Sequence, residues 1–231
     1  MRSSTVLLIT TVASVVLILF GTVALGEPPS ASAGGPEVAA WFATQGTHAR
    51  VFTWALTLLV PLTATSGALI RARLPAPHRD VFLVGLIVFL ADTTVSGWLW
   101  AGLSWHADRL QPATARTLLD VASFWGPVLN GATISMLAPV TVLSWGHRPV
   151  LPRWLGVLGA VALAEQCIET VTVFGRTGFI APGGPMNIYL GASLVTLWML
   201  CLGITLSRRP VPRAGRLDED STRTAPRVTT D

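Results

Sequence analysis

Six long apolar runs dominate the chain, and a short polar break follows each one. The runs are Thr5–Gly26, Val51–Ile70, Val81–Leu103, Thr117–Trp145, Trp154–Phe174 and Asn187–Ser207. A helix rises about 1.5 Å per residue, so about 20 residues cross a hydrocarbon core about 30 Å thick. All six runs meet that length. The breaks carry Pro, Gly and charge, as in Glu27-Pro28-Pro29, Arg71-Ala72-Arg73 and Pro182-Gly183-Gly184-Pro185. The pattern predicts an all-α fold, a six-helix transmembrane bundle over residues 1–207. Residues 208–231 hold Pro, Arg, Thr and acids with few large apolar side chains, which predicts a disordered tail.

The gaps add detail. Glu27–Arg50 is the longest connection, and its second half, Glu37–Arg50 with Trp41 and Phe42, has the makings of a short interfacial helix. Mid-span Pro61, Pro127 and Pro139 predict kinks, because proline removes a backbone hydrogen bond. Ala24-Leu25-Gly26 before Glu27 has the small residues of a cleavage site. The first apolar run exceeds the usual signal-peptide length of about 7–15 residues, which favours an uncleaved anchor. Spans one to three and four to six show no repeat of the kind many transporters carry.

Charge sets the orientation. All sixteen basic residues are Arg. Twelve fall on one side of the predicted membrane: Arg2, Arg71, Arg73, Arg79, Arg148, Arg153 and six in the tail. Four fall on the other: Arg50, Arg109, Arg116 and Arg176. The positive-inside rule then puts both termini in the cytoplasm of a bacterial cell, with the chain multi-pass in its plasma membrane.

Composition supports the class. Hydrophobic residues make up 51% of the chain and charged residues 12%, against about 25% charged in soluble domains. The pI near 10.4 invites a nucleic-acid reading. The arginines sit in short loops and the tail rather than on a soluble basic face, which excludes it. Cys167 and Cys201 fall inside apolar spans and read as packing residues.

The informative chemistry is acid inside the spans. Asp92 interrupts the third run, and Glu165 and Glu169 interrupt the fifth. A charged carboxylate at bilayer depth costs at least about 2.5–3.5 kcal/mol, so such a group needs a partner, water or a use. Asp92, Ser96 and Trp100 share one helical face, and Glu165, Glu169 and Thr172 share another. Asp120, Ser123, Pro127 and Asn130 form a third stripe. Three inward-facing stripes predict a shared acidic cavity. Asp120 follows Arg116 by four residues, the spacing of a helical ion pair, and Arg176 is a candidate partner for Glu169. Asp92 and Glu165 have no base at their depth.

Trp98, Trp100, Trp105 and Trp125 lie in the same half of the membrane and read either as an interfacial belt or as a pocket wall for a cation. Asp92, Glu165 and Glu169 are the candidate catalytic residues. Trp100, Ser96, Asn130, Asp120 and Trp125 are the candidate binding residues. No metal site or cofactor motif stands out; Trp105-His106-Ala107-Asp108 is too sparse for a metal.

Leu151-Pro152-Arg153-Trp154-Leu155-Gly156, Gly178-Phe179, Pro182-Gly183-Gly184-Pro185 and the closing Arg208-Arg209 resemble a group of uncharacterised multi-pass membrane proteins common in actinobacteria. The resemblance covers about the last eighty residues and implies fold and location, not a reaction. By its type of site, the chain also resembles small membrane-bound terpene cyclases, which use buried acids and aromatic walls without metal.

Three functions stay open at this point. One is a metal-independent cyclase or isomerase in which Asp92 or Glu165 protonates an isoprenoid-like substrate. Another is a proton-coupled transporter or exporter of a hydrophobic or cationic small molecule. The third is an assembly protein whose acids fix helix packing. The expected partners are membrane lipid and a lipophilic small molecule, with no nucleic acid.

Overall fold

The computed structural model describes residues 3–145 and 149–209. The tail predicted over 208–231 lies outside the described residues beyond Arg209, as do His147 and Arg148. Among the described residues there are helices and no strand. Six helical stretches are long and apolar enough to cross a membrane: Ser3–Leu25, Gly35–Arg71, His78–Trp105, Pro112–Leu143, Arg153–Phe174 and Met186–Ser207. They coincide with the six apolar runs.

The helices are α1 (Ser3–Leu25), α2 (Gly35–Arg71), α3 (His78–Trp105), α4 (Pro112–Ser123), α5 (Trp125–Leu143), α6 (Arg153–Glu169) and α7 (Ala192–Ser207). α1 packs on α2 and α7, α2 on α3, α3 on α5, and α5 on α6. One end of the bundle, the tail end, carries Ser3, the α2–α3 and α5–α6 connections and Arg209. The opposite end, the far end, carries the α1–α2, α3–α4 and α6–α7 connections.

Two departures from the sequence reading have clear causes. The interfacial helix expected over Glu37–Arg50 is the first part of α2, a single helix of 37 residues. At about 1.5 Å per residue it is about 55 Å long, well beyond a membrane core. Pro36 starts it, and no proline interrupts it before Pro61. Val38, Phe42, Gly46 and Ala49, spaced on one helical face, are all buried. The second departure is in the fourth span, which breaks into α4 and α5 at Phe124 rather than bending at Pro127. Pro127 then sits in the first turn of α5, where its missing N–H has no helical acceptor to lose. α2 runs through Pro61 and α5 through Pro139.

The apolar interior has two centres. Near the tail end, Leu7, Phe82, Met136, Leu155, Trp198 and Leu202 belong to one core drawn from most of the helices. At the far end, Val38, Phe42, Trp100, Leu103, Ala115 and Leu119 form a second, in which the extension of α2 packs on α3 and α4. Trp98, Trp105, Trp54 and Trp154 are more than half exposed and stand on the outside of the bundle.

The α3–α5 contact depends on a small residue. A Cβ on Gly85 would lie 2.7 Å from the Ala132 carbonyl and 2.9 Å from the Ser135 Cβ, so the helix backbones touch there. Nothing lies within 4 Å of a Cβ on Gly102 of the same helix. Gly85→Val is expected to destabilise the protein by about 1–3 kcal/mol through overpacking. Gly102→Val, with the same loss of glycine, serves as the control. Equal unfolding midpoints for the two variants in detergent would contradict this contact.

Candidate functional site

The polar residues gather where α5, α6 and the start of the last span meet, just beyond the tail-end core. α5 contributes Thr133, one turn past Met136 of that core. α6 contributes Glu165, Gln166 and Glu169, all buried. The last span contributes Asn187, which is fully buried.

Glu169 is the anchored member. Its Oε2 accepts a hydrogen bond from Gln166 Nε2 at 2.7 Å, and its Oε1 accepts one from Asn187 Nδ2. Gln166 Nε2 also donates to Glu165 Oε2 at 2.9 Å. One amide nitrogen therefore holds an oxygen of each carboxyl, and those oxygens are at most the sum of the two distances apart. The other end of the Gln166 amide is fixed by Thr133, whose hydroxyl donates to Gln166 Oε1. Asn187 Nδ2 lies 3.4 Å from Thr172 Oγ1, and Asn187 Oδ1 accepts the Gly183 N–H at 2.9 Å. The network thus spans α5, α6 and the last helix.

Local backbone makes the cluster possible. α6 ends at Glu169 and tightens into a 3-10 turn over Thr170–Phe174. The last span opens with a π turn, Met186–Gly191, which contains Asn187. Such turns recur at functional sites because they re-aim side chains. Gly183 has φ +67, a left-handed conformation that suits glycine, and this turn points its N–H at Asn187. Gly191 leaves room for the acid: a Cβ there would overlap the Glu169 carboxyl and lie 3.0 Å from Gln166 Nε2. A Cβ on Gly126 would lie 2.6 Å from Asn187 Nδ2.

Not every polar atom is used. Glu165 Oε1 is buried with no hydrogen-bond partner, and so is Asn130 Nδ2 on α5. Among the described residues no Arg or His pairs with Glu165 or Glu169. None offers a group of three or more His, Cys, Asp and Glu for a metal.

The other candidates lie elsewhere. Asp92 is half-buried on α3, and its Oδ2 is buried without a partner. α5 packs on both α3 and α6, so it stands between Asp92 and the glutamates. Ser96 is half-buried one turn further along α3. Trp100, read as a pocket wall, is covered by protein: its ring meets Trp41, Phe42 and Phe52 at centroid distances of 6.2, 5.7 and 5.7 Å. The α2 extension supplies Trp41 and Phe42, and Phe52 comes from the second apolar run itself. Trp125 is half-buried at the start of α5. Asp120 pairs with Arg116, as the spacing suggested. Arg116 also donates to the carbonyls of Ser30 and Ala33 at 3.2 and 3.0 Å. Arg176, one candidate partner of Glu169, forms no ion pair with it among the described residues, and the two Glu169 oxygens are held by amides.

A groove of about 210 Å³ opens at the far end between Arg116, Asp120, Ser123, Phe124, Arg176 and Pro182. It adjoins the cluster, since Pro182 precedes Gly183 and a Cβ on Gly183 would lie 3.2 Å from the Ser123 Cβ. The polar route inward runs from Gly183 to Asn187, Glu169, Gln166 and Glu165.

Sequence reasoning missed Gln166, Asn187 and Thr133. All three are uncharged and common in spans. The signal that could have found two of them is spacing: Gln166 lies between the two acids and three residues before Glu169, and Asn187 lies two residues past a Pro-Gly-Gly-Pro break. Comparison with protein-family models, curated proteins and solved structures finds no match for the chain.

Removing Asn187 leaves a buried acceptor on Glu169 and the Gly183 N–H unpaired. Asn187→Ala is expected to cost about 1–3 kcal/mol. Gly191→Ala is expected to cost a similar amount, by overlap with the Glu169 carboxyl. The Gly191→Ala and Glu169→Ala changes should therefore be less harmful together than their separate losses predict. Strict additivity of the unfolding free energies would show that the added methyl does not act on Glu169.

Proposed function

We propose that this protein is a proton-coupled membrane transporter that exchanges a proton for a hydrophobic cation at Glu165. The observation that carries the reading is the asymmetry of the two glutamates. Both Glu169 oxygens accept amide hydrogen bonds, whereas Glu165 keeps one buried oxygen free. Two carboxyls tied to one amide repel each other in a low dielectric, and in the proposed cycle either one proton or one cation relieves that repulsion. When the proton leaves, a soft, weakly hydrated cation takes its place. Irregular backbone on both sides of the site suits a broken-helix binding centre, where non-helical segments face a cavity or buried protein.

The same reading puts both termini in the cytoplasm of a bacterial cell, with the far-end groove outside. Its support is the arginine asymmetry of twelve against four. The groove then gives the proton an aqueous approach through Asn187.

Proteoliposomes test this directly, with tetraphenylphosphonium as the probe and an imposed pH gradient as the drive. Wild-type protein is expected to move the probe at least tenfold faster than Glu165→Gln. Glu169→Gln should retain partial activity, since its amide oxygen can keep one of the two hydrogen bonds that Glu169 accepts. Flux no faster than in empty vesicles, or equal flux in wild type and a folded Glu165→Gln, would overturn the proposal.

One observation favours a second reading, an enzyme that protonates a lipophilic alkene. The half-buried Asp92 carboxyl has a free oxygen on a helix whose neighbours Val88 and Val95 are exposed on the bundle surface. A lipid-borne substrate could approach it from the side. Asp92→Asn is then expected to change the lipid-extract metabolites of producing cells while leaving probe flux intact. Identical extracts would remove that reading.

A further inference from the structure

We propose that the groove between α6 and α7 at the tail end is a binding site for one anionic phospholipid. The groove holds about 420 Å³ and is lined by Trp154 of α6, by Cys201, Ile204 and Thr205 of α7, and by Arg208 and Arg209 just beyond. This site is independent of the glutamates, which lie two or more turns further into the bundle.

Helical phase gives the groove the shape of its ligand. Residues 201, 204, 205 and 208 follow the i, i+3, i+4, i+7 spacing of one helix face. The opposite face of α7 is spent on the core, through Trp198, Leu202 and Leu206. The groove face is therefore an apolar stripe that ends in arginine. From Cys201 to Arg208 it runs about 10 Å along the helix. An acyl chain lies along such a stripe, and its phosphate reaches the guanidinium groups at the membrane end.

Charge and placement argue for this occupant. The lining carries two arginines and no acid. Arg209 is turned toward the groove mouth by one contact, its Nη1 donating to the Val150 carbonyl on the α5–α6 connection. The other donors of its fork stay available for a phosphate. Trp154, 53% exposed, stands at the groove edge, where an indole meets the headgroup region. Basic pockets between spanning helices select anionic headgroups in this way.

The test is native mass spectrometry of the full-length protein in an equimolar mixture of phosphatidylglycerol and phosphatidylcholine with identical chains. Wild type is expected to retain phosphatidylglycerol several-fold over phosphatidylcholine. The Arg208→Gln/Arg209→Gln variant should lose that preference. Ile204→Trp keeps both arginines and fills the groove from its open side, so it should lose bound lipid altogether. Arg79→Gln, at the same end but away from the groove, should behave as wild type. Maleimide labelling of Cys201 should slow in phosphatidylglycerol vesicles in wild type but not in Ile204→Trp.

Three results overturn the proposal. The first is an unchanged preference in the double arginine variant. The second is equal protection of Cys201 by inorganic phosphate alone, which would make the groove an ion site rather than a lipid site. The third is a Cys201–Cys201 cross-link between copies that lipid does not suppress, which would make a second chain the occupant.

Discussion

A carboxyl group buried among apolar helices must find its hydrogen bonds inside the protein, and Glu169 finds them on two chain segments at once. The Gln166 amide reaches it along α6, and the Asn187 amide reaches it from the last span. Thr133 of α5 then holds Gln166. In hydrocarbon no water competes for these bonds, so the penalty for breaking them is larger than at a wet surface. The network fixes the register of three spans relative to one another. The 3-10 turn after α6, the π turn that carries Asn187, and the close approach at Gly191 all serve that geometry.

The far-end core serves a different purpose. α2 extends about four turns beyond the length a membrane needs, and its extra turns bury Val38, Phe42 and Ala49 against α3 and α4. Trp41, Phe42 and Phe52 surround Trp100, in edge-on and tilted pairings that aromatic rings favour. Arg116, held by Asp120 and by two carbonyls of the α1–α2 connection, ties α4 to that connection. The far end is thus braced on the α2–α4 side. On the α6 side it is built from short irregular turns beside a groove. That contrast places the least regular backbone next to the buried acids.

The spans were legible in the sequence because their signal is long and local: about twenty apolar residues between charged breaks decide each one. The Arg116–Asp120 pair was legible for the same reason, as a spacing within one helix. The site was legible only in part. Glu165 and Glu169 stand out because charge is costly in a membrane. The residues that complete the site, Gln166, Asn187 and Thr133, carry no charge, and two of them, Thr133 and Asn187, come from other spans. Trp100 shows the converse. It shared a helical face with Asp92, but two of its neighbours, Trp41 and Phe42, come from a part of α2 that hydropathy alone assigned to a connection. Which side of a polar stripe meets another helix is a tertiary fact, and one helix's periodicity does not contain it.

The two glutamates sit four residues apart on one face, yet their surroundings give them different work. Glu169 lies at the C-terminal end of α6, where the helix dipole disfavours negative charge, and amide N–H groups there make up for it. Glu165 lies one turn earlier, inside the regular helix, with its single bond from the amide it shares with Glu169. A change of charge at Glu165 therefore reaches Glu169 through Gln166, and reaches the far-end groove through Asn187 and Gly183. Each of those links is a hydrogen bond whose donor is a primary amide or a backbone N–H. Such donors cannot pass a proton on without changing tautomer, but they can turn. In the proposed exchange the free oxygen of Glu165 is therefore the place where the charge is used, and the two amide bonds on Glu169 hold that part of α6 in register with the last span.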